Sequence, residues 1–298
     1  MQLHLFGAAT SSGEAFRQQV AVTMPNWPLL AYSRHQLGAH RADFTNPSSF
    51  QPGGASGGPA IWISFAPIWL LAPFLEQLAQ GHPERLIGLR GLIACSSSSV
   101  LTKRFAANHF DRQLVARLCD AEAHLLATCR CLELPCRILQ PTLIYGQVGS
   151  YGDRNLSRLV QLMRRLPLLP LPAHTGLRQP LHASQLAAVA LLLAQQLAAP
   201  GAASARPERL AVGGDTELSY RAMLEALQRA LPAGDPARRC RLLPIPNRLA
   251  VLLAAPLLLS SPKAFEAVLR IGADLAGFIP SHQLLGQPPQ AFPVLPLA

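Results

Sequence analysis

A short stretch near the N-terminus has the residue types and spacing to hold a phosphate. The alternating run Gln2 to Phe6 (QLHLF) leads into Gly7-Ala8-Ala9-Thr10-Ser11-Ser12-Gly13. Small residues let a chain bend sharply after a strand and bring its backbone close to a pyrophosphate. The charge of that group then rests on the N-terminus of the following helix. Gly7 and Gly13 supply the outer glycines of such a turn, and Thr10 stands where a middle glycine is usual. A second apolar run, Leu29 to Ser33, ends in Ser33-Arg34-His35. An acidic residue at that strand end would hold the 2′-hydroxyl of NAD, whereas an arginine accommodates the 2′-phosphate of NADP. Arg34 therefore favours NADP over NAD as the dinucleotide of this turn.

Other chemistries find less support. Ser96 to Ser99 lacks the Gly-x-Ser-x-Gly turn of a nucleophile elbow. Asp120 and Glu122 sit too close on one helical run to act as a separated acid and base. The six cysteines (95, 119, 129, 131, 136 and 240) contain no C-x-x-C pair, and Cys129-x-Cys131 has no second half at metal-ligand spacing. No metal site is expected. The thiols read as small hydrophobes of a reducing, cytoplasmic compartment.

The elements needed to position the turn are legible from hydrophobic periodicity. Strands are expected at Gln2 to Phe6, Leu29 to Ser33, Ile61 to Phe65, Gly91 to Cys95 and Cys136 to Leu139. Helices are expected at Glu14 to Val22, Trp69 to Gln80 and Arg112 to Leu132. Asn46 to Pro59, rich in Pro, Gly and Ser, is expected as a loop. Alternation of strand and helix predicts an α/β fold, a Rossmann-type doubly wound parallel sheet with right-handed crossovers. Residues 1–150 are expected to form the dinucleotide-binding domain, with later segments returning to it. Residues 151–298 are expected to form a smaller, mainly helical lobe. In that lobe, helices are expected at Leu156 to Leu166, Leu186 to Leu197 and Ser219 to Leu231, with Ser219 as an N-cap. Leu210 to Val212 reads as a strand. Pro167 to Pro172 reads as a turn, Pro200 to Pro207 as a loop and the tail from Pro288 as irregular.

The chain has 298 residues, enough for a sizeable core. Half are apolar and only 14% are charged, which excludes a disordered chain. The longest apolar candidate, Leu249 to Ser260, is too short to span a membrane and reads as core of the second lobe. The N-terminus has no basic start or cleavage-site pattern of a signal peptide. The net charge of +10 comes from scattered arginines without a basic stripe and interleaved aromatics, so no nucleic-acid partner is expected. A phosphate-bearing ligand would use the same excess. Docking on a membrane surface beside Arg248 and Lys263 is the less favoured use of the apolar segment.

Several further segments, in order, resemble the extended or atypical short-chain dehydrogenases/reductases of the NAD-dependent epimerase/dehydratase group, the nucleoside-diphosphate-sugar epimerases. The Gly7 to Gly13 turn is similar to that group's glycine-rich turn. Ala42-Asp43-Phe44-Thr45 resembles its adenine-contacting segment, and Ile63-Ser64-Phe65-Ala66-Pro67 the segment lining the cofactor. Cys95 to Val100 resembles its serine-rich strand end, Ala121-Glu122 its Ala-Glu pair, and Leu139 to Gly146 its Arg-Pro-x-x-x-Tyr-Gly segment with Gln140 in place of arginine. Arg178 to His182 resembles its Arg-x-x-x-His segment, and Gly213-Gly214 its late glycine-containing strand end. The resemblance implies cofactor contacts from Gly7, Thr10, Ser11, Ser12, Gly13, Arg34, Asp43, Phe44, Phe65, Ala66 and Pro67. It implies a nucleotide-linked sugar as substrate, with Arg178 on its diphosphate and Asn155 reaching the pocket. A homodimer is compatible with it.

One departure is central. The group's Tyr-x-x-x-Lys pair, counted back from Glu122, falls on Leu114 and Leu118, and neither can transfer a proton. Ser98, where the hydroxyl helper would lie, and Tyr145 are then the catalytic candidates, with Lys103 as the nearest lysine. Three readings stay open: an epimerase/dehydratase with a relocated acid/base, a non-catalytic NADP(H)-binding sensor, or a scaffold or assembly factor. His182 reads as a structural histidine at the start of the Leu186 helix.

Overall fold

A computed structural model describes residues 1–34, 40–53, 58–153, 155–199 and 208–294. The expected loop at 200–207 and His35 lie outside the described residues. Among the described residues, fourteen strands and eleven α-helices follow in chain order. The N-terminal half runs β1 (Gln2–Phe6), α1 (Ser11–Thr23), β2 (Leu29–Ser33), β3 (His40–Arg41), β4 (Ala60–Ser64), α2 (Ile68–Gly81), β5 (Leu89–Cys95), α3 (Ser99–Thr102), α4 (His109–Cys131) and β6 (Cys136–Pro141). The second half runs β7 (Ile144–Tyr145), α5 (Leu156–Arg165), β8 (Leu168–Pro172), β9 (Leu177–Arg178), β10 (Leu181–His182), α6 (Ala183–Ala198), β11 (Arg209–Gly213), β12 (Leu218–Ser219) and α7 (Tyr220–Ala230). It ends with β13 (Arg241–Ile245), α8 (Asn247–Ala254), α9 (Leu257–Ser260), α10 (Pro262–Leu269), β14 (Ile279–Pro280) and α11 (Ser281–Leu285).

Eight strands form one parallel sheet in the order β14-β11-β6-β5-β4-β1-β2-β3. The order reverses between β1 and β4, and ligands of such sheets bind beyond the strand ends at that reversal. Both faces are covered. Phe6, Tyr32 and Trp62 meet α2 and α4 on one face, while Leu3, Leu5, Ile61 and Ile63 meet α1 and α6 on the other. Alternate residues of one strand thus enter two cores, as the period of two requires. The doubly wound sheet expected from the sequence is the observed fold.

A third core of Leu156, Val160, Met163, Leu171, Met223, Leu224 and Leu227 lies in the second half of the chain. Two expectations fail there. Residues 168–172 are a strand, paired in parallel with β13. Pro170 and Pro172 are tolerated because each member of a two-stranded ribbon has an open edge that needs no N–H donor. The run Leu249 to Leu259 is also not core. Pro256 divides it into α8 and α9, and only Ala250 and Ala254 of its residues are fully buried.

Buried Glu122 fastens the far half of the sheet. Its carboxylate accepts from Ser96 Oγ (2.5 Å), Gln140 Nε2 (2.9 Å) and Arg209 Nε (2.8 Å). Gln140 has no charge, and Arg209 on the neighbouring strand supplies the cation that balances the acid. Glu122→Ala is expected to lower unfolding free energy by about 3 kcal/mol, the scale for breaking a buried pair. Urea denaturation measures this, and an unchanged midpoint would contradict the role.

Candidate dinucleotide site

The turn after β1 closes through its own side chain. Thr10 Oγ1 donates to Gly7 O (2.9 Å) and accepts from Gly13 N (3.0 Å), capping α1. The threonine that departs from the usual glycine thus stabilises the bend. Gly7 has φ +77°, and a Cβ there would stand 2.6 Å from Ala66 N on the loop after β4. A Cβ on Gly13 would stand 2.4 Å from Gly7 O. Both glycines are therefore fixed by close backbone approach. The first helical bond runs from Glu14 N to Thr10 O, so the amides of Ser11 and Ser12 have no partner within the helix. The hydroxyls of Ser12 and Ser64 are buried without a hydrogen-bond partner.

Beside the turn lies a cavity of about 250 Å³ at the reversal of strand order. Gly7, Thr10, Arg34, Asp43, Phe44, Ala66 and Pro67 line it. So the glycine turn, the end of β2, the segment after β3 and the loop after β4 converge. Phe65 is turned away, its ring packed edge-on against Phe16 of α1 at 6.0 Å. Ser11, Ser12 and Gly13 form the first turn of α1 behind the cavity wall.

Asp43 accepts from Thr45 Oγ1 (2.7 Å) and Thr45 N (3.0 Å), both on Oδ1. These bonds, with smaller contributions from Arg34 and Arg41, hold its carboxyl below the usual range. Arg41 was not singled out in the sequence. Its position follows from the two-residue strand β3, which pairs Ser33 with Arg41. That strand is too short for periodicity to reveal. Arg34 lines the cavity, and Arg41, also exposed, stands next to the lining residue Ala42, near enough to Asp43 to act on its carboxyl.

The remaining candidates are scattered. Ser98 sits after β5 with its N–H bonded to Pro141 O (2.9 Å), and no described group hydrogen-bonds its hydroxyl. Tyr145 lies in the third core, against His182 and Phe292, and its hydroxyl accepts from Val294 N (2.8 Å). Burial pushes that phenol well above its ordinary value, the reverse of what a proton-transfer tyrosine needs. Arg178 is also buried. Nη1 donates to Leu177 O and Ala273 O (both 2.7 Å), and Nη2 to Arg270 O (2.5 Å). Its fork is filled by backbone carbonyls, and it ties β9 to the end of α10. Asn155 is exposed at the start of α5, where Asp153, not Asn155, caps the helix. His182 caps α6 through a reciprocal box with Gln185.

On α4, Leu118 is buried in the core and Leu114 packs against it. Lys103 is taken up by Asp111 (2.8 Å), which is itself buried and also paired with Arg270 (2.8 Å). Glu266 of α10 pairs with Arg270 and accepts from Asn108 N. This cluster ties the start of α4 to α10. Among the described residues, no group of three His, Cys, Asp or Glu side chains is gathered to hold a metal. All six cysteines are free thiols, and burial pushes Cys95 up to about 12.

Two outcomes follow. Gly13→Val is expected to force the turn apart and abolish dinucleotide binding, read by titration, with the fold checked by circular dichroism. Burial would raise the Asp111 carboxyl, but hydrogen bonds from Lys103 and Asn108 and the charges of Lys103 and Arg270 outweigh it and hold the group at about 2. Its contribution is therefore fully present above its ordinary value of 3.8 and is lost as pH falls through about 2. Asp111→Asn should cost about 3 kcal/mol near neutral pH. The difference from wild type should shrink towards pH 2, and a pH-independent difference in urea unfolding would contradict this account.

No protein-family model and no curated protein matches the sequence. Solved structures do match in fold. A UDP-galactose 4-epimerase is 13% identical with a TM-score of 0.61, covering 98% of this chain and 94% of that one. RMD from Pseudomonas aeruginosa, complexed with NADPH, is 15% identical with a TM-score of 0.60, covering 98% and 95%. UDP-glucuronic acid 4-epimerase from Bacillus cereus, in complex with NAD, is 15% identical with a TM-score of 0.56, covering 77% and 84%. At these identities the likeness is one of fold. The chain has a Rossmann-type α/β fold, like that of these structures.

Proposed function

We propose that this protein binds NADP(H) in the cradle formed by the Gly7 to Gly13 turn and the adjoining cavity. The observation that carries the proposal is the convergence of that turn, Asp43 and the arginines Arg34 and Arg41 at the reversal of strand order. The residues fit the ligand. The unpartnered amides of Ser11 and Ser12 suit a pyrophosphate, the apolar walls Phe44, Ala66 and Pro67 suit adenine, and the two guanidiniums suit a 2′-phosphate. NAD would offer the two guanidiniums no phosphate to bind. When bound, the nicotinamide supplies hydride chemistry.

The account of the second substrate is separate. Nucleotide-linked sugars are the compounds named for the epimerases of like fold, so a ligand of that class is proposed beyond the carboxyl ends of the sheet strands, on the side of Ser98. The side chains favour a binding or sensing role there. Leu114 and Leu118 are apolar, Lys103 is neutralised by Asp111, and the Tyr145 hydroxyl is engaged by the tail. The unengaged hydroxyl of Ser98 favours the second reading, catalysis with Ser98 polarising a sugar oxygen.

Fluorescence titration with NADPH and NADH tests the cofactor proposal. Wild type should prefer NADPH, and Arg34→Ala or Arg41→Ala should weaken NADPH binding roughly tenfold each while leaving NADH nearly unchanged. Equal binding of the two cofactors would overturn the preference. A nucleotide-sugar screen with cofactor present, followed by chromatography of the sugar products, separates the two substrate readings: no new product supports sensing, and product formation that falls in Ser98→Ala supports catalysis.

A further inference from the structure

We propose that the surface formed by α8, α9 and the start of α10 docks peripherally on an anionic lipid bilayer. Ala250 and Ala254 face inward, one helical turn apart, so Leu249, Leu252 and Leu253 are turned outward. Leu252 is 67% exposed, and Leu258 and Leu259 continue the apolar surface beyond Pro256, with Leu259 93% exposed. Leucines exposed in series are unusual on a monomer and mark a surface that meets something apolar. No helix among the described residues is long and apolar enough to cross a membrane, so insertion would be shallow.

Charge identifies what is met. Residues 236–265 contain Arg238, Arg239, Arg241, Arg248 and Lys263 and no acidic residue. Arg248 lies one turn before Leu252 on the outward face, and Lys263 opens α10, exposed. The nearest acid, Glu266, is turned inward to Arg270 and Asn108. Asn108 is flanked by two more exposed aromatics, Phe105 (90% exposed, with Arg104 beside its ring) and Phe110. Apolar side chains bordered by unpaired cations fit the boundary between acyl chains and anionic headgroups. A two-fold contact between copies would bring Arg248 and Lys263 of both chains onto one interface without local acids to pair them.

The test is flotation of the full chain with vesicles of phosphatidylcholine alone and of equal parts phosphatidylcholine and phosphatidylglycerol. Binding is expected only to the anionic vesicles and should weaken with added salt. Arg248→Gln with Lys263→Gln should reduce it about fivefold per charge removed, and Leu252→Ser with Leu259→Ser should abolish it. All these positions are exposed, and unchanged thermal melting and NADPH titration keep the folded state in view. Absence of binding to the anionic vesicles, or equal binding by the variants, would overturn the proposal. So would light scattering that shows a dimer which Leu252→Ser dissociates, since the face would then belong to a second copy.

Discussion

The site depends on one close backbone approach. Gly7, in the left-handed region, lies against the peptide joining Phe65 to Ala66, and Gly13 lies against the carbonyl of Gly7. These contacts let the first turn of α1 meet the loop after β4 at the reversal of strand order. A side chain at either glycine would push the loops apart and open the cradle. The Thr10 hydroxyl holds the turn shut from inside, which explains how the bend survives without a central glycine.

The rest of the molecule is held by buried acids whose partners come from distant segments. Glu122 draws Ser96, Gln140 and Arg209 together and so links β5, β6 and β11 through one helix. Asp111 draws Lys103 and Arg270 together and so links α4 to the segment after α10. In both clusters the cation is committed to architecture. The same holds for Arg178, whose three hydrogen bonds all end on backbone carbonyls. With Lys103 and Arg178 both serving packing, this part of the molecule is better suited to holding a ligand than to moving its protons.

The fold was largely legible because the sheet strands are strongly periodic and β4 and β6 are buried along their whole length. That Gly7, Arg34 and Asp43 meet at one cavity follows from a related feature: turn glycines, a strand-end arginine and Asp43 are local features of fixed offset. The surroundings of Arg178 and Tyr145 were not legible. Arg178 resembles a diphosphate-binding arginine by position, but whether its fork is free depends on carbonyls some ninety residues later, at Arg270 and Ala273. Tyr145 likewise depends on the tail, whose Val294 amide occupies its hydroxyl. The strand at 168–172 was hidden by its prolines. The exposed leucines of α8 and α9 read as core because hydrophobicity alone does not tell which face is covered.

The central claim is that the turn at the β1/β4 reversal holds a dinucleotide. The most direct measurement is a crystal structure of the protein grown with NADPH. The account predicts the pyrophosphate over the Ser11 and Ser12 amides, adenine in the cavity beside Asp43 and Phe44, and the 2′-phosphate between Arg34 and Arg41. Density for the cofactor elsewhere in the molecule, or a turn left empty at saturating NADPH, would contradict it.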